Sequence, residues 1–443
     1  MKSMNKVTKI IHIVVCVAAI LSVIACAPQK TYSYPATSFI VVSDLHTYDT
    51  SLGTEGKAFE DYVSADRKLL KESVELLEAA IGLIKSENAS FVLISGDLTK
   101  DGERTSHQLV AQYLKQLEAS GKKVYVIPGN HDINNGWSYS YTGDTKQRVP
   151  NISPEEFVQI YGEFGYNEAL FRDPNSLSYV AEPQAGLWLL ALDSCRYKEN
   201  VENQRNITGG KLSPQTLQWI EEMLSKAASE KRPVIVMMHH GVVEHYVGQA
   251  KNYPEFVIDD FPTISKLFAQ YNVRLVFTGH YHAQDITEKS WSEGNKFLFD
   301  VETGSLVTYP CPYRVVNIDN SQKCAIRTER IQSIKSHPQG FQEYARGYLE
   351  QGITGIATQA IMGAKVDRAE AEKLAKQVAQ AFVAHYAGDE KLPSGQEAIQ
   401  ESGLSPQASI VVQFRKNLVY GLWEDLPPPD NNVTLDLKAG AWQ

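Results

Sequence analysis

The sequence predicts an α/β fold with a smaller all-α C-terminal domain, and three observations carry that reading. Short runs rich in Val, Ile and Leu recur along the chain. Amphipathic stretches alternate with them, the pattern of a buried sheet with helices packed on it. After about Arg330 the strand-like runs give way to Ala, Glu, Gln and Lys at helical spacing.

Phe39–Val42, Phe91–Ile94, Val124–Ile127, Leu187–Leu192, Val234–Met238, Val273–Phe277 and Phe297–Val301 read as strands, each being a short, nearly continuous apolar run. Ser64–Ile84 and Gln108–Ala119 read as amphipathic helices, and Asn134–Pro150, rich in Gly, Ser, Tyr and Asn, as a long surface loop. Gly340–Gln351, Asp367–Tyr386 and Ser405–Leu422 follow as helices, with Leu374, Val378, Phe382 and His385 along one stripe of the second. Pro427-Pro428-Pro429 opens a tail to which no shape is assigned. The expected boundaries are a signal peptide at 1–25, a tether at 26–37, the sheet-rich domain at 38–332, the helical domain at 333–425 and the tail at 426–443.

Composition narrows the class. The 443 residues carry 43 Lys+Arg against 52 Asp+Glu, a formal charge of −9, which rules out a general basic nucleic-acid binder and argues mildly against a duplex-DNA nuclease, which would need a basic track beside its site. With 43% hydrophobic and 21% charged residues the chain is neither disordered nor fibrous, and five Cys are too few for a disulfide scaffold.

Lys2, Lys6 and Lys9 precede an apolar run from Ile10 to Ile24, the layout of an export signal. Val23-Ile24-Ala25-Cys26 resembles the lipobox of bacterial lipoproteins, so Cys26 is expected to carry lipid. The expectation is an exported lipoprotein of the cell or outer membrane whose folded domain lies outside the cytoplasm. In that compartment a Cys311–Cys324 disulfide, leaving Cys195 free, becomes available, although spacing does not establish it.

Five of the strand-like runs end in the same kind of residue. They lead into Ser43-Asp44-Leu45-His46, Gly96-Asp97, Gly129-Asn130-His131-Asp132, His239-His240 and Gly279-His280-Tyr281-His282. Ligands of open α/β sheets bind at the carboxyl ends of strands, so these residues can converge on one crevice. Singly, each has a plainer explanation: a turn residue, a helix cap or a core histidine. Together they put seven oxygen and imidazole donors in one place, and that conjunction indicates a metal site.

These five blocks, in this order, closely resemble the signature of the calcineurin-like metallophosphoesterases, over about Phe39 to Arg330. The resemblance implies a sandwich of two mixed β-sheets flanked by helices. It also implies that Asp44, His46 and His282 hold one divalent metal, that Asn130, His239 and His280 hold a second, and that Asp97 bridges the two. His240 falls to an outer or packing role. Gly96-Asp97-Leu98-Thr99 and the helical C-terminus look most similar to the bacterial class III cyclic-nucleotide phosphodiesterase branch.

The donor chemistry supports this without the family. Imidazole and carboxylate ligands without thiolate favour Mn, Fe, Zn or Co. Two divalent cations outweigh the two carboxylates and attract an anionic phosphate, and metals about 3.5–4 Å apart share and activate a bridging hydroxide. His131 is the site histidine not consumed as a ligand. It is expected to be the general acid, with Asp132 orienting it and raising its pKa.

Trp137, Tyr139, Tyr141 and Tyr309 lie in stretches able to wall the cleft but stay outside the site assignment. His107 and His245 are read by default as surface or loop histidines. The expected activity is hydrolysis of small phosphodiesters, cyclic nucleotides foremost. Export favours 2′,3′-cyclic substrates over a 3′,5′-cyclic messenger. The alternatives are a phosphomonoesterase or nucleotidase with the same metals, and a surface-binding scaffold in which the C-terminal helices are the working part. Those helices are open to three roles: lid, brace or oligomer contact.

Overall fold

A computed structural model of the protein describes residues 33–64, 66–292 and 294–443, of which Tyr34–Gln443 pack as one compact unit. The signal peptide and Cys26 lie outside the described residues. No helix of the described residues is long and apolar enough to cross a membrane.

Among the described residues fifteen strands follow in chain order: β1 (Thr37–Val42), β2 (Phe91–Ile94), β3 (Lys123–Val126), β4 (Tyr139–Thr142), β5 (Thr145–Arg148), β6 (Phe171–Arg172), β7 (Tyr179–Gln184) and β8 (Leu187–Leu192), then β9 (Val234–Met238), β10 (Leu275–Thr278), β11 (Asp285–Trp291), β12 (Lys296–Glu302), β13 (Pro312–Ile318), β14 (Lys323–Arg330) and β15 (Asn432–Asp436). They form a six-stranded sheet in the order β15-β14-β13-β1-β2-β3, a seven-stranded sheet in the order β11-β12-β10-β9-β8-β7-β6, and the separate β4-β5 hairpin. Both large sheets are mixed. β1, β2 and β3 run parallel, as do β8, β9, β10 and β12, while β13, β14 and β15 in the first sheet and β6, β7 and β11 in the second pair antiparallel.

The sandwich explains the apolar runs. Phe91–Ile94 and Val234–Met238 are buried at every position because one face of each strand meets the opposite sheet and the other meets helices. Phe39 stacks on Phe91 at 4.7 Å and meets Phe277 of the other sheet edge-on at 5.3 Å, which ties the two layers together. β14 escaped the sequence reading because it alternates: it buries Cys324 and Ile326 and exposes Ala325 and Arg327, while in β13 Arg314 and Asn317 interrupt an otherwise apolar, buried run.

Several expectations need correction. The stretch read as one helix at Ser64–Ile84 is helical only from Ser73, within the helix Ser73–Ser86, and a separate helix, Lys57–Val63, ends just before it. Between them the Asp66 carboxylate accepts from the Arg67 and Lys68 N–H groups, a local turn that competes with the helix. Asn134–Pro150 is not a loop throughout, since it contains the β4-β5 hairpin, whose buried anchor is Tyr141. The tether ends earlier than Thr37: Tyr34 is buried and its hydroxyl donates to Val234 O.

The tail is also structured. β15 adds to β14 and buries Leu435, so residues read as lying beyond the fold complete the first sheet. Cys311 and Cys324 are free and buried. Pro312 sits opposite Arg330 while Ile318 sits opposite Cys324, and that register holds the two thiols about 20 Å apart at ~3.3 Å per residue.

The helices Phe341–Gly363, Arg368–Ala387 and Pro406–Gly421 form their own apolar cluster, which includes Tyr246, Tyr281 and Ala283 of the sheet-rich part. Asp367 caps the second helix by accepting from Ala369 N–H, and Ser405 caps the third. They brace the sandwich. If β15 is structural, Leu435→Ala will cost about 2–5 kcal/mol, read as a lower urea midpoint; an unchanged midpoint would show that the strand contributes nothing.

Candidate metal centre

Backbone geometry is unusual in the same way at three of the five blocks. Asp44 (φ 51°), His46 (φ 37°), Asp97 (φ 48°), His280 (φ 78°) and His282 (φ 71°) all occupy the left-handed region. Such conformations cost of order 1–3 kcal/mol each and concentrate at functional sites. The glycines beside them have a steric reason. A Cβ on Gly129 would strike the Asp97 carboxylate, and one on Gly279 would strike Ser43 Oγ and the Asp44 carboxylate.

These turns bring two donor groups together. Donor atoms of Asp44, His46 and His282 lie within 4.8 Å of one another, and so do those of Asp97, His239 and His280. In the first group His46 Nε2 is 3.2 Å from His282 Nε2, and Asp44 Oδ1 is 3.3 Å from His282 Nε2. In the second, Asn130 Oδ1 lies 3.1 Å from His239 Nε2. Asp97 Oδ2 stands between the groups, 3.5 Å from His46 Nε2 and 3.4 Å from His239 Nε2. The seven residues named from sequence as donors therefore meet at one centre.

Their hydrogen bonds leave the inner nitrogens available. His239 Nδ1–H donates to Ser95 O at 2.7 Å, which turns Nε2 inward, and His280 Nε2–H donates to Glu255 O at 3.1 Å, which frees Nδ1. His240 is satisfied on both sides, by Ser194 Oγ at 2.8 Å and Thr208 O at 2.9 Å, and so packs beside the centre.

The electrostatics fit a cation. Asp44 Oδ1 is buried and has no hydrogen-bond partner. Burial pushes His46 down to about 3, leaving the neutral imidazole that ligates metals. Burial opposes charge on His239 as well, but the carboxylates of Asp97 and Asp44 outweigh it and raise it to about 9, so this point in the site calls for positive charge. Carboxylate, amide and imidazole donors of this kind suit two divalent metals.

His131 faces the cleft beside both groups, with its ring 4.9 Å from that of His46. Its partner is not the one expected. Asp132 accepts from the N–H groups of Leu98, Thr99 and Gly129 and from the Thr99 hydroxyl, so it shapes the loop and does not touch the imidazole. Asp101 takes the orienting role instead: His131 Nδ1–H donates to its Oδ1 at 2.9 Å, and its other oxygen accepts from Tyr62 OH and pairs with Lys100. Lys100 is fully buried, 4.3 Å from the Tyr62 ring centroid, and also pairs with Glu103. Burial works against the imidazolium and Lys68 adds to that, but Asp97 and Asp101 prevail and the His131 pKa is raised. The available signal was the polar run Thr99-Lys100-Asp101-Gly102 directly after the Gly-Asp block.

The centre floors a cleft of about 640 Å³. Tyr62, Trp137, Tyr141 and Phe256 supply aromatic walls, and Arg67, Lys68, Lys146 and Arg205 supply cations among several acids. Tyr139 and Tyr309 do not line it. Trp137 is flanked by Arg205 at 4.7 Å and Lys146 at 5.1 Å from its centroid. His107 and His245, expected at the surface, are both buried. His107 donates to Asp132 O beneath the loop, whereas His245 lies in a separate acidic cluster.

Comparison with known proteins agrees with this geometry. Residues 37–284 match the calcineurin-like phosphoesterase family. A Synechococcus protein named "probable cyclic nucleotide phosphodiesterase" is 26% identical over 208 residues, 46% of this chain and 62% of that protein. One of the same name from Vesicomyosocius okutanii is 27% identical over 113 residues, 24% of this chain and 47% of that protein. The chain thus spans under two thirds of the length of each. A solved dimetal phosphatase from Danio rerio aligns with a TM-score of 0.47 at 15% identity, covering 67% of this chain and 97% of that one. With the family match extending over more than half of its length and the five blocks assembled at one centre, this chain belongs to the calcineurin-like phosphoesterases.

Proposed function

We propose that the protein is an exported, lipid-anchored phosphodiesterase acting on small phosphodiesters, cyclic nucleotides foremost, with two metals of the Mn, Fe or Zn type. The observation that carries this is Asp97 Oδ2 standing between two donor groups with His131 at their edge. The names of the two bacterial relatives support the substrate class. The N-terminal Lys residues and the Cys26 lipobox support export and anchoring, and with them a 2′,3′-cyclic substrate.

When bound, the metal pair supplies Lewis-acid stabilisation of the phosphoryl oxygens and lowers the pKa of an attacking water. The protein's own residues do the rest. Asp101 holds the His131 ring by Nδ1, so Nε2–H is free to protonate the departing alkoxide. Lys100 and Tyr62 keep Asp101 ionised and in place. Trp137, with Arg205 and Lys146 over its ring, lines the same cleft and adds cations that favour an anionic substrate.

The deciding experiment is hydrolysis of bis(p-nitrophenyl) phosphate beside p-nitrophenyl phosphate after chelation and Mn²⁺ resupply. Restored cleavage favouring the diester, abolished in Asp97→Ala, is expected. A preference for the monoester would point to a phosphatase or nucleotidase, and a folded but inactive protein with every metal tried would end the enzymatic reading.

His131→Ala should lose about 10²–10⁴-fold on alkoxide-leaving diesters and much less on nitrophenyl esters; equal losses would remove the general acid. A general acid works while protonated, so the rate falls as pH rises through its pKa. Asp101→Asn removes a charge that raises that pKa, and the alkaline limb of the kcat/KM profile should move to lower pH. Asp132→Asn should leave the limb in place.

A further inference from the structure

Away from the cleft, the seam between the seven-stranded sheet and the C-terminal helices encloses a second set of metal-type donors. Asp285 opens β11, His385 sits in the last turn of the helix Arg368–Ala387, and Glu390 lies in the loop beyond it. Their donor atoms fall within 4.8 Å of one another, the same closeness that Asp44, His46 and His282 show. All three residues are buried.

The hydrogen bonds around them satisfy only one side of each group. Asp285 Oδ1 accepts from His245 Nδ1–H at 2.6 Å and from the Thr287 hydroxyl at 2.9 Å, whereas Asp285 Oδ2 has no partner. His385 Nδ1 and Glu390 Oε1 are 2.7 Å apart, and His385 Nε2 and Glu390 Oε2 have none. Leaving an ionised carboxylate oxygen buried and unpaired is costly, so two such atoms in one pocket, Asp285 Oδ2 and Glu390 Oε2, require a counter-group.

The formal charge points the same way. Asp285, Asp300, Glu302, Glu390 and Asp430 are all buried at this seam, and the buried cations facing them are Arg314, His245 and His385. Asp389 and Asp425 lie at the rim, where burial and then Glu390 push Asp425 up to about 7. Protons relieve part of this: burial and the neighbouring carboxylates outweigh His245 and push Glu302 up to about 8, and burial with Asp285 raises Asp430 well above the carboxylate range. Asp285 Oδ2 and Glu390 Oε2 are the buried carboxylate oxygens that no hydrogen bond reaches. A cation held by the two carboxylates and one imidazole nitrogen supplies the missing positive charge.

We propose that Asp285, His385 and Glu390 bind a third divalent metal, which fastens the C-terminal helices to the edge of the seven-stranded sheet. Two carboxylates and an imidazole select a zinc- or manganese-type ion over calcium or magnesium, which take oxygen ligands. The role is structural. His245 positions Asp285, and the bond from Gln284 N–H to Tyr386 O carries the seam to within two residues of His282.

The site is independent of the cleft and is tested apart from it. The metal-stripped full chain is titrated with Zn²⁺, with stoichiometry read by elemental analysis and thermal unfolding followed in parallel. This is done in the wild type and in Asp97→Ala. Adding Glu390→Gln to either background should lower the stoichiometry by one Zn²⁺ per chain and remove a Zn²⁺-dependent rise in the unfolding temperature. His385→Gln should do the same. Unchanged stoichiometry in both variants would overturn the site and leave protons as the counter-charge. Should neither variant fold, anomalous scattering at the zinc edge from wild-type crystals decides: a peak between the three side chains supports the site, and its absence there refutes it.

Discussion

The carboxylate of Asp97 is the contact on which the arrangement of this molecule turns. One oxygen accepts the His131 N–H at 2.8 Å, and the other faces His46 from one strand end and His239 from another. It serves both groups only because β2 lies beside β1 and β3 in one sheet while β9 and β10 lead their turns in from the other. Any change in the spacing of the two layers would separate His239 from Asp97. The Phe39, Phe91 and Phe277 rings that join the layers therefore act on the centre at a distance.

Local strain is the other half of that construction. A strand that simply continued would carry Asp44 or His280 past the cleft, so the chain turns immediately through left-handed conformations that most side chains avoid. The surrounding contacts hold those turns. His46 N–H donates to Asp97 O, His280 N–H to the Asp44 carboxylate, and Ser305 Oγ to Asp44 O. Hydrogen bonds to and between the blocks thus offset the backbone cost while setting the donor positions.

The C-terminal helices belong to the same mechanical system. Tyr281, between two of the metal-type histidines, packs against Tyr246, Phe256 and Tyr386, and Tyr386 also accepts a hydrogen bond from Arg67 at the cleft rim. A helical region that contacts the residue between His280 and His282 braces the centre. The buried acidic seam beneath it, with Asp285, His385 and Glu390, belongs to that attachment.

Motifs that depend on residue type and order were legible in the sequence. Five apolar runs ending in Asp, Asn or His announce a crevice at strand ends whatever the loops between them do, and the change of composition after Arg330 announces helices. What was hidden depends on partners far apart in the chain. Asp132 is adjacent to His131 but is drawn off by the N–H groups of Leu98, Thr99 and Gly129, leaving Asp101, thirty residues earlier, to hold the ring. Sequence neighbours do not predict hydrogen-bond partners when a turn intervenes. β15 and the fate of Cys311 and Cys324 were set by strand register, and the burial of His245 by three carboxylates from β11 and β12. By itself the sequence determined the donor set and the α/β class, because both rest on local chemistry and periodicity. Tertiary structure alone decided which carboxylate serves which histidine, because that depends on distances between segments that only packing brings together.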